Sequence, residues 1–349
     1  MLKKAQKIRL AVYSAGHLII DFSCYVILFG YFSPAASGAQ LASGFLMYNT
    51  IAFPFQVIFG RCFDRRPSMV PALIGCALVI AGLLLHGQPS AAVAVCAAGN
   101  ALFHVGGGTD SLRYSSGRFA RPGIFVAFGA LGVSLGIRAG LGRISVWPVI
   151  LTVLVCGLWI LACCGEEEEE EELPSLEREK GGAALLKAPE AVIYLCLISV
   201  IIRSFAGYLI SVPWPSEGGW FFLSSVCAFL GKASGGIAAD RFGARLTGVV
   251  TLLLCIPLLC LGGESTVLCG LGLILFNMTM AVTAGTIYEK LPGRPGFAFG
   301  LTTLGLWLGY LPKAFGFTAA GRTWILPAAA AVSAVCLLLA APGRRAGMI

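Results

Sequence analysis

Long apolar runs separated by short polar gaps run the length of the chain. A helix needs roughly 17–25 apolar residues to cross about 30 Å of hydrocarbon. Twelve such runs can be drawn, at about 8–32, 38–59, 69–87, 89–108, 123–141, 144–164, 190–212, 218–239, 247–262, 265–286, 295–318 and 323–341. They predict an all-α integral membrane protein with twelve transmembrane helices. One polar gap is long: residues 165–190 carry seven consecutive glutamates, Glu166 to Glu172, followed by Leu176-Glu177-Arg178-Glu179-Lys180. A block of like charge repels itself and stays solvated. The stretch therefore reads as a cytoplasmic acidic linker between two six-helix bundles, over 1–164 and 191–349, with a regulatory or partner-binding role for the glutamate run as the alternative.

Composition agrees with lipid as the solvent, since 57% of residues are hydrophobic and only 12% charged, too few for the surface of a soluble globule. The net charge of +8 is explained by orientation rather than by nucleic acid. With the N-terminus inside, 19 of the 25 basic residues fall on the cytoplasmic side, among them Lys3, Lys4, Lys7, Arg9, Arg61, Arg65, Arg66, Arg113, Arg118 and Arg121. Both termini are thus expected in the cytoplasm, in the plasma membrane. The first run imitates a signal peptide, but it is too long and a second span follows at once. Thirteen cysteines are scattered through the spans without the spacing of a zinc site or a disulfide framework. No metal or cofactor is expected, and a monomer is.

The chain also repeats itself. Gly60-Arg61-Cys62-Phe63-Asp64-Arg65 returns as Gly236-Ile237-Ala238-Ala239-Asp240-Arg241, 176 residues later. Leu102-Phe103, Arg121-Pro122-Gly123, Leu131-Gly132 and Leu135-Gly136 return as Leu275-Phe276, Arg294-Pro295-Gly296, Leu304-Gly305 and Leu308-Gly309, each at an offset of 173. Two pseudo-symmetric halves follow, the arrangement of several membrane carriers. Gly132, Gly136 and Gly140 on the fifth span, and the pairs Gly296/Gly300 and Gly305/Gly309 on the eleventh, stand four apart, a spacing that lets helix backbones approach closely in lipid.

With its two Gly-x-x-x-Asp-Arg turns, one between spans 2 and 3 and one between spans 8 and 9, the sequence resembles the major facilitator superfamily. Three further patches resemble its fosmidomycin-resistance efflux type: His17-Leu18-Ile19-Ile20-Asp21, Asn100 to Gly108, and Arg203-Ser204-Phe205. The resemblance implies the major facilitator fold and a secondary transporter. Gly60, Asp64, Arg65, Gly236, Asp240 and Arg241 then have the role of gating conformational exchange at cytoplasmic helix ends. A Gly-Pro step typical of drug antiporters is missing from span 5, where Ile137 follows Gly136.

Charges inside spans are costly and are kept where they face a cavity or a partner. Asp21 and His17 lie four apart on one helix face and are the expected proton-coupling pair. Arg203, Lys232, His104 and Asn100 are the expected solute ligands, with Asp21 as the counter-charge of Arg203. Asp110 reads as structural, solvated or paired with Arg113. Cations outnumber the single deep carboxylate, so the expected cargo is a small anionic organic solute, exported by alternating access in exchange for protons. Uptake with protons is the alternative within transport, and a non-transporting receptor or sensor on the same scaffold the alternative of another class. An enzyme is not expected, with three histidines and no catalytic cluster. ATP is not expected as the energy source either, because the chain has no phosphate-binding loop.

Overall fold

The computed structural model describes residues 4–165, 185–186, 188–317 and 324–343. The glutamate run, Lys3, Arg178, Lys180, Lys187, Arg322, Arg344 and Arg345 lie outside the described residues. The α-helices are α1 Lys4–Val26, α2 Gly38–Ala52, α3 Phe55–Phe63, α4 Met69–Leu84, α5 Pro89–Arg113, α6 Ala120–Leu141, α7 Val146–Cys164, α8 Pro189–Gly207, α9 Leu223–Phe242, α10 Ala244–Leu261, α11 Thr266–Asn277, α12 Thr279–Lys290, α13 Pro295–Ala314 and α14 Ile325–Ala340. They fall on the twelve expected runs, because α2 with α3 and α11 with α12 are each one run broken in two. Among the described residues nine helical stretches are long and apolar enough to cross a membrane, α4 and α14 are shorter apolar helices, and α13 has 20 residues.

The breaks have local causes. Pro54 has no N–H and interrupts the second span. Gln56 N–H turns to Phe53 O at 3.1 Å, and its side-chain amide donates to Ala52 O at 2.6 Å, so a carbonyl freed by the break is paired. Thr303 Oγ1 adds a bond to Phe53 O at 3.1 Å. The seventh span stops at Gly207 rather than near 212, ahead of Pro213 and Pro215. The end closes as a turn, with Tyr208 N–H on Phe205 O at 3.2 Å and Leu209 N–H on Ala206 O at 3.0 Å.

Packing gathers the chain into two compact units. One holds Met1–Tyr114, Phe128–Glu170 and Gly293–Thr303; the other holds Ser115–Ala127, Glu171–Pro292 and Leu304–Ile349. Helices α6 and α13 are each divided between the units, at Phe128 and Leu304, positions 176 residues apart like the two Asp-Arg turns. The glycine spacing explains how the divided helices pack. In the first unit a methyl at Gly132, Gly136 or Gly140 would strike the α1 backbone near Leu18 or Phe22, or that of Gly30 just beyond α1. Gly300, on the first half of α13, lies equally close to Gln56 and Val57 of α3. In the second unit Gly305 and Gly309, on the other half of α13, meet Val200, Ile201 and Ser204 of α8. Without a hydrophobic force between helices in lipid, this close van der Waals approach is what holds the rods together.

Candidate functional site

In the first unit α1 and α5 bring four polar side chains into one buried cluster. His17 and Asp21 share the inward face of α1, with His17 Nε2 3.3 Å from Asp21 Oδ2. Helix α5 adds Asn100, whose Nδ2 donates to Asp21 Oδ1 at 2.7 Å, and His104, whose Nε2 lies 2.7 Å from His17 Nε2 and 3.7 Å from Asp21 Oδ1. His104 Nδ1 is 2.8 Å from Asn100 O. A carbonyl only accepts, so that nitrogen carries the proton and the neutral ring turns a lone pair at Nε2 toward His17. The donor atoms of His17, Asp21 and His104 all lie within 4.8 Å of one another, close enough for one metal ion. Asn100 and His104, expected as solute ligands, spend these contacts on Asp21 and His17. The fourth face of the cluster is closed by α6 at Gly129, where an added methyl would strike His17 Nε2 and Asp21 Oδ2.

Two arginines of the second unit are buried, Arg121 at the start of α6 and Arg203. Arg203 on α8 is only 7% exposed; its Nη2 donates to Thr283 Oγ1 of α12 at 3.3 Å, and its Nε has no partner among the described residues. No carboxylate forms an ion pair with it among the described residues. The described partners of Asp21 are His17, His104 and Asn100, all in the first unit. An arginine cannot discharge itself by losing a proton, so a guanidinium held this way is a ready partner for an anion. Lys232 stands half-buried on α9, with its own carbonyl against Gly123.

The two Asp-Arg turns are seats for incoming helix ends. Asp64 Oδ1 accepts from the N–H groups of Gly296 and Phe297, at 2.7 and 3.1 Å, at the start of α13. Asp240 accepts from Phe119 N–H at 2.6 Å and Ala120 N–H at 3.1 Å, at the start of α6. The first N–H groups of a helix have no partner inside it, and the positive end of its dipole favours a carboxylate. The glycine one turn earlier makes room: a methyl at Gly60 would overlap the Gly296 backbone, and one at Gly236 the Phe119 carbonyl. Burial raises the Asp64 carboxyl above its ordinary value, while the Phe297 and Gly296 amides pull it back. The arginines of the turns do not share this role. Arg65 and Arg241 are exposed, and Arg241 lies 5.5 Å over the Phe242 ring.

One buried ion pair escaped the sequence analysis. Asp110, expected as a solvated residue or a partner of Arg113, is 1% exposed and pairs with Arg9, which was counted as a cytoplasmic residue and is 2% exposed on α1. Arg113 reaches the Asp64 carbonyl at 2.7 Å. Arg9 Nε and Nη2 both donate to Asp110 Oδ2, at 2.8 and 2.6 Å, Nη2 also to Ser68 Oγ, and Nη1 to Cys164 O at the end of α7. Two signals pointed to it: Arg9 lies inside the first apolar run, and Asp110 belongs to the helix of Asn100 and His104.

No protein-family model and no curated protein matches the chain. Solved structures do. The E. coli fucose:proton symporter superposes with a TM-score of 0.67 at 14% identity, over 97% of this chain and 98% of that one. The human organic anion transporter TETRAN gives 0.68 at 16% identity, over 97% of this chain and 100% of the other. The chain has the major facilitator fold. A bacterial homologue of the iron transporter ferroportin, in an outward-facing state, adds a third example, at 0.60 and 15% identity over 97% and 98% of the two chains. In the major facilitator fold each half supplies six spans, so the repeat in this sequence is the fold's internal symmetry and the chain is an integral membrane protein.

Proposed function

We propose that this chain is a secondary active transporter of the major facilitator type that moves a small anionic organic solute by alternating access, exporting it in exchange for protons. The observation that carries the anion is Arg203, buried, permanently charged and, among the described residues, held by the Thr283 hydroxyl with its Nε left without a partner. Lys232 is the second cation assigned to the solute, and Asp21 with His17 the group assigned to coupling. The likeness to a human organic anion transporter supports the sign of the cargo. Uptake together with protons is the second reading, favoured by the likeness to a fucose:proton symporter.

Reconstituted protein under an imposed pH gradient, offered carboxylate and phosphonate compounds, tests both directions. Losing a charge-assisted hydrogen bond costs about 1.5–3 kcal/mol, so Arg203→Gln is expected to weaken anion binding roughly ten- to a hundredfold. Arg203→Lys keeps the charge without the planar fork and should retain part of it. Affinity for neutral or cationic solutes only, indifferent to Arg203→Gln, would sink the anion reading; absence of any flux would favour a receptor.

Both termini are assigned to the cytoplasm, from the bias of the basic residues. A single cysteine at Ser265, the residue before α11, on a background lacking the 13 native cysteines should then react with an impermeant reagent from outside. Labelling only from inside reverses the orientation.

A further inference from the structure

We propose that His17, Asp21 and His104 form a binding site for a divalent first-row transition-metal ion of the Zn²⁺ or Fe²⁺ class. The inference goes beyond the transport reading and does not depend on Arg203. It starts from a contact that can be made in two ways. His104 Nε2 presents a lone pair to His17 Nε2 at 2.7 Å, which a neutral His17 with its proton on Nε2 meets as an N–H···N hydrogen bond. A proton between them is one solution and a metal ion bound by both is the other.

Three features favour the ion. First, the donors are close to the spacing an ion needs: the separations of 2.7, 3.3 and 3.7 Å bracket the ~3.4 Å between neighbouring donors of a tetrahedral ion held at ~2.1 Å, and the two rings have to part by less than about 1 Å to admit it. Second, the donors are aimed. A histidine that binds a metal commonly gives its other N–H to a carbonyl, and a coordinating carboxylate is itself hydrogen-bonded. Asn100 does both, accepting from His104 Nδ1 through its backbone oxygen and donating to Asp21 through its side chain. Third, the three donors are buried, His17 at 5% and Asp21 and His104 at 8% exposed, so bulk water competes little for their donor atoms. Two imidazoles and one carboxylate are a nitrogen–oxygen set of borderline softness, suited to Zn²⁺ and Fe²⁺ rather than to Ca²⁺ or Mg²⁺. Three protein ligands leave a coordination position open, which makes the ion exchangeable. The ligands bind it deprotonated, so the ion and a proton held between the rings exclude one another.

The full-length protein, purified in detergent, is titrated with Co²⁺ and followed by its visible spectrum, with Zn²⁺ as competitor. One Co²⁺ per chain is expected, with the bands of a nitrogen–oxygen ligand set and displacement by Zn²⁺. Asn100→Ala, which removes a positioning residue without removing a ligand, should weaken binding by about 10–100-fold; His104→Gln should weaken it at least as much. Arg203→Gln should leave it unchanged, so failure here and failure of the anion reading are separable. A thiolate-to-cobalt charge-transfer band in the unmutated protein would assign the ion to cysteines and overturn the proposal whether or not the variants fold. Binding indifferent to His104→Gln, or no Co²⁺ binding at all, would overturn it too and leave the shared proton as the occupant of the His17–His104 contact.

Discussion

Arg9→Met is expected to destabilise the protein by about 3–5 kcal/mol, the cost of breaking a buried ion pair and leaving one charge without its partner. The guanidinium gives two hydrogen bonds to Asp110 Oδ2, one to Ser68 Oγ and one to Cys164 O, and lies 5.0 Å over the Tyr114 ring. It therefore ties α1 to the ends of α4, α5 and α7. The thermal unfolding midpoint in detergent reads the effect. Replacing both partners with apolar groups of similar size, Arg9→Met with Asp110→Leu, should recover much of the loss, because no charge is then stranded. A single variant as stable as the parent would mean that water reaches Asp110 and the pair contributes little.

The second large effect is expected at the glycines of the two Asp-Arg turns. Gly60→Val and Gly236→Val each push a branched side chain into backbone, at Gly296 and at Phe119 respectively. Backbone cannot swing aside as the end of a flexible side chain does, so overpacking of about 1–3 kcal/mol is expected, and the capping bonds to Asp64 or Asp240 lengthen with it. If these seats form and part during alternating access, each change lowers turnover by roughly tenfold, at 1.36 kcal/mol per decade, while equilibrium affinity for solute stays nearly the same. Transport rates and solute binding, measured on the same preparation, separate the two quantities. Lost affinity with unaltered turnover would instead place the glycines at the solute site.

The two cases show where legibility from sequence ends. The Gly-x-x-x-Asp-Arg turns could be found because glycine and aspartate recur four apart in both halves, but the helices they receive could not. The motif pairs each aspartate with an arginine, and the structure shows the carboxylates taking the helix ends while Arg65 and Arg241 are exposed. The Arg9–Asp110 pair is not legible in the sequence because its members stand 101 residues apart and Asp110 has Arg113 as a closer candidate on its own helix.

What the sequence by itself determined is everything governed by hydropathy and by helical periodicity: twelve apolar runs, two matched halves, the glycine spacing on the fifth and eleventh spans, and the shared face of His17 and Asp21. These are local properties, since a backbone in lipid has to bond within its own segment and residues four apart must lie together. Only the tertiary structure decided which faces meet. It brought Asn100 and His104 to Asp21, set Arg203 against the Thr283 hydroxyl, buried Arg9 against Asp110, and divided α6 and α13 between two units. The reason is geometric: the rotation and register of one helix against another depend on small residues and side-chain volumes summed along both, and no pattern along a single run records that sum.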